Sequence, residues 1–190
     1  MAKTTIGPRT ILYPMPTVLV GVNVDEKPNF MAVAYCGVVN SQPPMLSVSL
    51  QHPRHTLKGV KQNNTFSVNI ASVCIVKETD YCGLVSGSKT DKVNDCNFHV
   101  FFGKLKETPL ITECPVNIEC RVVHMLNLGS HVIVIGQVEE VHVTDSCFTN
   151  GEPDVDMINP FLFVAGPNCE YRVFGKPIGK AFSMGKEMNP

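Results

Sequence analysis

The chain has 190 residues, of which 44% are hydrophobic and 17% are charged, and its formal net charge is −1. This composition excludes intrinsic disorder for the body of the chain, because disordered segments combine low hydrophobicity with high net charge. It also argues against a protein that binds along a nucleic acid, since such proteins normally carry a basic excess. The length predicts one domain over residues 1–190.

Short β-rich segments bounded by turn residues dominate the chain. The first two predict a hairpin around a turn at residues 25–29. Several of the others alternate apolar and small polar side chains, which is the period of a half-buried strand. The predicted strands cover residues 17–24, 30–39, 46–50, 66–71, 116–125, 131–143, 161–165 and 171–174.

Two segments, residues 53–62 and 73–85, predict helices. Pro53 suits a first helical position, and apolar side chains recur in both segments near the helical period. Many short strands with few helices favour a barrel or a sandwich. The absence of βαβ alternation and of a GxGxxG motif disfavours a doubly wound nucleotide-binding fold. Residues 175–190 predict an extended tail that lies over another surface or frays.

The first residues contain no apolar stretch with a cleavage site, so we expect no secretory signal, and no segment is long enough to span a membrane. We therefore expect a cytoplasmic protein without a membrane partner. The cysteines have no CxxC spacing, which argues against a zinc ribbon or a thioredoxin-type site. In a reducing cytoplasm we expect reduced, mostly buried thiols at Cys36, Cys74, Cys82, Cys96, Cys114, Cys120, Cys147 and Cys169.

The junction between a predicted strand and a predicted helix at residues 51–56 is a candidate phosphate site. A helix N-terminus presents free N–H groups and a partial positive charge. Arg54 can fork onto two phosphate oxygens, and Thr56 adds a hydroxyl. The alternative is an ordinary solvated helix start. His52 and His55 have no third ligand nearby, so we predict no metal site.

Three other segments hold candidate ligand-binding residues, each with a structural alternative that stays open. Residues 29–36 place small side chains between larger ones, so a planar ligand could approach the backbone, or the segment is a packed barrel strand. Lys89, Asp91 and Lys92 either reach a ligand or form a charged surface loop. His131 heads a strand and is either close to a ligand or a structural histidine.

A resemblance to a known family is carried by pieces spread over nearly the whole chain in a specific order and spacing. Together they resemble the flavin reductase-like, FMN-binding split-barrel family, and within it the flavoredoxins. The pieces are residues 6–8 (IGP), 12–16 (LYPMP), 20–21 (VG), 28–34 (PNFMAVA), 42–44 (QPP), 54–56 (RHT), 66–69 (FSVN), 86–92 (SGSKTDK), 131–138 (HVIVIGQV), 159–160 (NP), Tyr171 and 175–179 (GKPIG).

The resemblance implies a mainly β, Greek-key split barrel with a few short helices that binds FMN and works as a homodimer. It places the flavin ring along the arm at residues 29–35 and the phosphate at residues 54–56. It also places His131, the candidate catalytic residue, near the ring. The implied cofactor-binding residues are Asn29, Met31, Ala32, Val33, Ala34, Tyr35, Ser49, Leu50, Gln51, Arg54, His55, Thr56, Ser86, Lys89 and Lys92.

Two positions depart from the family pattern. Tyr35 stands where a tryptophan is usual, although a tyrosine can still stack on a ring or meet it edge-on. Val164 stands where an aromatic residue is usual. Its neighbour Phe163 is expected on the opposite face of the strand. These two departures leave undecided which aromatic side chains cover the flavin ring, and therefore what its reduction potential is.

Two functional classes follow from the resemblance. The first is an enzyme that takes electrons from NAD(P)H through FMN to free flavin or another acceptor. The second is an FMN-loaded electron carrier that receives its electrons from a partner protein. A third alternative, without redox chemistry, is flavin storage or sensing. Lys92 or Arg54 would stabilise the reduced flavin, and His131 would orient the donor or manage a proton.

Overall fold

The computed structural model describes residues 1–188, and β-strands make up most of its regular structure. The strands are β1 (Met15–Pro16), β2 (Val18–Val24), β3 (Lys27–Val33), β4 (Cys36–Ser41), β5 (Pro44–Gln51), β6 (Thr65–Ile70), β7 (Val100–Phe102), β8 (Pro109–Ile111), β9 (Val116–Asn127), β10 (His131–Val143), β11 (Phe148–Thr149), β12 (Glu152–Pro153), β13 (Phe161–Val164) and β14 (Glu170–Val173).

The helices of the described chain are few and short. Over residues 1–188, no helix has the length and apolar character that crossing a membrane requires. The α-helices are α1 (His55–Asn63), α2 (Val76–Leu84), α3 (Lys92–Asp95) and α4 (Val155–Ile158), and single 3₁₀ turns occupy Val73–Ile75, Asp145–Cys147 and Met184–Met188.

Seven strands form one antiparallel sheet in the order β3-β2-β6-β9-β10-β5-β4. Its two edge strands, β3 and β4, follow one another in the chain. At their junction the backbone N–H of Ser49 in β5 donates to the carbonyl of Tyr35 at 2.9 Å. The sheet therefore curls until its two ends approach each other, as in a barrel that is open on one side.

The prediction of one strand over residues 30–39 was wrong, because the segment is two strands. β3 ends at Val33, and β4 begins at Cys36 and pairs with β5 at the other edge of the sheet. Both halves are apolar, so hydropathy carries no sign of the break. The predicted turn is also shorter than expected, since Asp25 and Glu26 alone make it, both with positive φ.

The other predicted strands and both predicted helices are confirmed with small shifts of their ends. The predicted helix at residues 73–85 is a 3₁₀ turn followed by α2. The strands and helices that the sequence did not predict are at most four residues long in every case but one, too short for a period to emerge. They are β1, β7, β8, β11, β12, α3, α4 and the 3₁₀ turns at 145–147 and 184–188.

Two hydrophobic clusters lie on opposite faces of the large sheet. Successive side chains of β2 point to opposite faces, so Val20 lies in the cluster inside the curl and Leu19 in the cluster outside it. Leu57 and Val60 of α1 join the inner cluster. Cys82 of α2 joins the outer one. The two helices are therefore fixed against the sheet by buried apolar surface, worth about 25 cal/mol per Å².

A small sheet of order β1-β13-β14 stands beside the large one. Met15 of β1 pairs with Phe163 of β13. The hydroxyl of Tyr171 in β14 donates to Asp80 of α2 at 2.8 Å. The tail that follows is exposed from Gly175 to Lys186, and residues 189–190 of the predicted tail lie outside the described residues.

Candidate functional site

A continuous trough runs along the open side of the barrel. It consists of two adjoining cavities of about 500 Å³ and 210 Å³, which share Met31, Gln51 and Arg54 as walls. The larger cavity is also lined by Thr17, Ala32, Val33, Ala34, Tyr35, Ser49, Gly83, His131, Phe163 and Tyr171. The smaller cavity is also lined by Pro53, His55, Thr56, Val85, Ser86, Gly87 and Lys92.

One wall of the larger cavity is low and apolar because its side chains are small. Ala32 and Ala34 belong to edge strand β3 and the bend that follows it, and Gly83 of α2 packs directly against Ala32. A Cβ atom at Gly83 would stand only 3.3 Å from the Cβ atom of Ala32. The three small residues therefore form a low surface on which a flat molecule can lie.

The smaller cavity lies at the N-terminus of α1, where backbone donors are available. Arg54 is the N-cap residue, no side chain caps this end, and its first turn contains no acidic residue. The hydroxyl of Thr56 accepts a hydrogen bond from Asn29 Nδ2 at 2.9 Å, so its own proton is free to bond a ligand oxygen. This end of the trough therefore suits an anion such as a phosphate.

Lys92 brings a buried cation to the same cavity. Its side chain is 4% exposed, and its ammonium group donates to the carbonyl oxygens of Phe30 at 2.9 Å and Cys82 at 2.8 Å. Burial lowers the pKa of Lys92, and the nearby charge of Arg54 lowers it further. Two carbonyl acceptors leave the third ammonium proton for a ligand, since a protonated lysine has three donors.

His55 contributes an uncharged ring to the anion end. Partial burial lowers its pKa, and the charge of Lys58 acts in the same direction. The imidazole is therefore neutral at neutral pH. Neither cavity is lined by an acidic residue of the described chain. The charge of this end of the trough comes from Arg54 and Lys92.

Aromatic side chains stand along the rim of the larger cavity. Tyr35 is 43% exposed, and its ring centroid lies 5.5 Å from that of His131 at an interplanar angle of 34°. The Nδ1 atom of His131 is 2.8 Å from Ser130 Oγ, which leaves Nε2 as the ring nitrogen for a bound molecule. Phe163 and Tyr171 lie 6.0 Å apart and also line the cavity.

Phe163 supplies at the trough the aromatic side chain that its neighbour Val164 lacks. The two residues point to opposite faces of β13, as expected, but the trough is on the face of Phe163 and not on that of Val164. The aromatic cover at this point is present and comes from the preceding residue.

Thirteen of the sixteen predicted site residues line the trough, and the three others do not. Leu50 is fully buried in the inner cluster, so its side chain points into the barrel. Asn29 is buried behind Thr56, to which it donates. Lys89 lines a separate groove with Lys27 and is exposed. Whether the thirteen residues bind a cofactor stays a prediction.

The prediction missed trough residues that carry no chemical motif. Thr17, Gly83, Phe163 and Tyr171 come from four different elements or their ends. Gly87 faces the smaller cavity, and a Cβ atom there would overlap the Asn29 side chain. Their order in the chain does not indicate that they meet, although Tyr171 was one of the residues that carried the family resemblance.

The cysteines add no redox or metal site to the trough. All eight are free thiols, of which four are buried and two are exposed. Burial raises the pKa of Cys36 to about 11 and those of Cys82 and Cys120 to about 12, so these thiols stay protonated at neutral pH. Among the side chains that the structure describes, no group of three or more His, Cys, Asp or Glu could hold a metal ion.

A low apolar wall, an aromatic rim and a cationic helix N-terminus define a site for a planar molecule that carries a phosphate. Residues 10–164 match the model of the flavin reductase-like domain. The chain belongs to this family, as the resemblance predicted, and its fold is the split barrel of its structural neighbours.

Two solved structures are similar over almost the whole chain. A flavoredoxin from Methanosarcina acetivorans is 38% identical with a TM-score of 0.94, and the match covers 99% of this chain and 100% of that one. Flavoredoxin of Desulfovibrio vulgaris (Miyazaki F) is 34% identical with a TM-score of 0.90, over 97% of this chain and 100% of that one.

Two curated relatives are similar over a smaller part of the chain. An uncharacterised protein of Archaeoglobus fulgidus is 32% identical over 82% of this chain and 87% of its own length. An FMN reductase (NADH), RutF, of Acinetobacter baylyi is 28% identical over 62% of this chain and 60% of its own length.

Proposed function

We propose that the chain is an FMN-binding redox protein that moves electrons from NAD(P)H, or from a protein donor, through bound FMN to an acceptor. The observation that carries this proposal is the trough. Its larger cavity has a low apolar wall and an aromatic rim, and its smaller cavity is an anion end at the N-terminus of α1. Membership of the flavin reductase-like family supports it, as does the similarity to the Acinetobacter FMN reductase (NADH).

The residues of the trough fit the two ends of FMN in chemistry. Arg54, Thr56 and Lys92 would hold the phosphate, because they combine two cations with a hydroxyl whose proton is free. Ala32 and Ala34 would lie against the flat ring system. When bound, FMN would supply the redox chemistry, taking a hydride from a reduced nicotinamide and releasing two electrons to an acceptor.

The protein would contribute orientation and electrostatics to that reaction. The fixed charges of Arg54 and Lys92 would favour the extra negative charge of the reduced cofactor. His131, held by Ser130, would orient the electron donor or move a proton at its Nε2 atom. Tyr35 and His131 stand at the open side of the trough, where a donor can enter.

Three further parts of the proposal concern the assembly and its setting. We propose a homodimer, a cytoplasmic location and, if NAD(P)H is not the donor, a redox partner protein. The exposed apolar side chain of Val38 on edge strand β4 supports the homodimer.

The test is a visible spectrum of the purified protein followed by anaerobic addition of NADH or NADPH. Flavin bands at ~370 and ~450 nm that bleach promptly support an enzyme that accepts hydride directly. The same bands without bleaching support an electron carrier fed by a protein. A colourless protein that does not bind added FMN contradicts the proposal.

A further inference from the structure

Thr17 has an unpaired hydroxyl in the wall of the trough. The residue is 5% exposed, and its Oγ1 atom has no hydrogen-bond partner in the described chain. A buried hydroxyl without a partner costs free energy, so proteins normally pair such groups. Thr17 also lines the larger cavity, and a rotation about its χ1 angle would turn the buried hydroxyl towards a molecule bound there, which would supply the missing partner.

The location of Thr17 identifies which end of a ligand it would meet. The register of β2 and β3 pairs Val18 with Val33, so Thr17 lies opposite Ala34 by extension of that ladder. Asn29, which marks the anion end through its bond to Thr56, is five residues back along β3. At about 3.3 Å per residue, Thr17 is about 16 Å from the anion end.

Thr17 lies on the same face of the sheet as the low apolar wall of the trough. Side chains alternate along a strand, so Thr17 is on the same face as Leu19, and Leu19 pairs with Ala32. The chain passes at Thr17 from the small sheet to the large one, between Pro16 in β1 and Val18 in β2. Two sheets therefore hold its backbone in place.

We propose that Thr17 is a positioning residue whose hydroxyl bonds a polar atom of the flavin ring system at the end of the trough away from the phosphate. This inference rests on the proposed function and deepens it, because it assigns a ring contact to a residue without any motif. The bond would fix how far the ring slides along β3.

Two substitutions test the hydroxyl with little change of shape. Thr17→Val replaces the hydroxyl by a methyl group, and Thr17→Ser keeps a hydroxyl but removes a methyl group. The matched control is Thr65→Val, because Thr65 is also buried with an unpartnered Oγ1 atom but does not line the trough. Flavin-free protein is titrated with FMN and with riboflavin, which lacks the phosphate, and its urea unfolding is measured.

We expect Thr17→Val to weaken FMN and riboflavin binding by the same factor, about three- to tenfold for one net hydrogen bond. Thr17→Ser should bind both flavins within about twofold of the unsubstituted protein, as should Thr65→Val. The flavin-free Thr17→Val protein should be no less stable than the unsubstituted one, because the removed hydroxyl had no partner.

Three results would overturn the inference while leaving the proposed function intact. The first is unchanged binding of both flavins by Thr17→Val. The second is a loss for FMN alone, which would place the effect at the phosphate end. The third is a loss of affinity with an equal loss of stability of the flavin-free protein, which indicates packing. If the unsubstituted protein binds neither flavin, the proposed function itself fails.

Discussion

Lys92 has two backbone acceptors before any ligand arrives. Its ammonium group links the carbonyl of Phe30 in β3 to that of Cys82 in α2, so it joins the two elements that border the trough. The sequence placed it in a charged loop that could equally have been ordinary surface. The structure instead gives it the burial of a core residue, which makes its charge both structural and available to the anion end.

We expect Lys92→Met to weaken FMN binding by at least about tenfold, because a hydrogen bond to a charged group contributes about 1.5–3 kcal/mol. The two carbonyl groups would also lose their donor, so the flavin-free protein should lose about 1–3 kcal/mol of stability. Fluorescence titration with FMN and urea unfolding measure the two effects.

Lys89→Met is the matched control for this substitution, since Lys89 is exposed and lines a different groove. Its FMN affinity and unfolding free energy should match those of the unsubstituted protein. If Lys92→Met binds FMN as tightly as Lys89→Met, Lys92 has no part in holding the ligand.

Most residues of the trough could be predicted from the sequence. The direction in which each side chain points was harder to predict. Arg54 and Thr56 were predicted from helix-terminus chemistry, and they line the smaller cavity. Leu50 and Lys89 were included because the family resemblance placed their strand and loop at the flavin, and their side chains point elsewhere. Phe163 was missed because the pairing of β1 with β13 brings it to the trough, and Thr17 because the pairing of β2 with β3 places it beside Ala34.

At the scale of elements, α1 is held close to β2 at a glycine. A Cβ atom on Gly59 would lie 2.5 Å from the carbonyl oxygen of Asn23 and 2.7 Å from a methyl group of Val22. The helix therefore packs against the backbone of the strand. Because α1 carries Arg54 and Thr56 at its N-terminus, this close packing also sets the location of the anion end.

We expect Gly59→Ala to destabilise the protein by about 1–3 kcal/mol, because the added methyl group overpacks the contact. Intrinsic helix propensity predicts the opposite sign, since alanine is favoured over glycine by about 1 kcal/mol. The shift of α1 should weaken FMN binding as well. The midpoint of urea unfolding and the FMN dissociation constant are the measurements.

Gly166→Ala is the control, since nothing lies within 4 Å of a Cβ atom there and its φ angle is not in the left-handed region. This substitution should leave the free energy of unfolding unchanged or raise it slightly, because alanine reduces the conformational entropy of the unfolded chain. A Gly59→Ala protein that is as stable as Gly166→Ala would show that α1 moves away from β2 without cost.

The long strands were predictable at this scale, but their partners were not. The segment at residues 131–143 was predicted with the same bounds as β10. The segment at residues 30–39 was not, because its two halves pair at opposite edges of the sheet. Periodicity records which face of a strand is buried and contains nothing about which strand lies next to it.

At the scale of the whole molecule, one edge of the barrel is apolar and open. Within residues 1–188, β4 pairs with β5 and with no other strand, and Val38 is 77% exposed. An exposed apolar edge strand is a site of association unless something covers it. β4 follows directly after Tyr35, so a molecule that covers this edge also approaches the rim of the trough. These features support the proposed homodimer with the trough near its interface.

We expect Val38→Asp to convert the proposed dimer into a monomer, because the proposed interface would have to bury an unpaired carboxylate. Sedimentation velocity distinguishes a chain of 20.8 kDa from a pair. Val155→Asp is the control, since Val155 is a valine that is also exposed, at 50%, but belongs to α4 and not to the edge strand. The monomer should also bind FMN more weakly, as its trough loses the neighbouring subunit. If Val38→Asp sediments like Val155→Asp, β4 is not the interface.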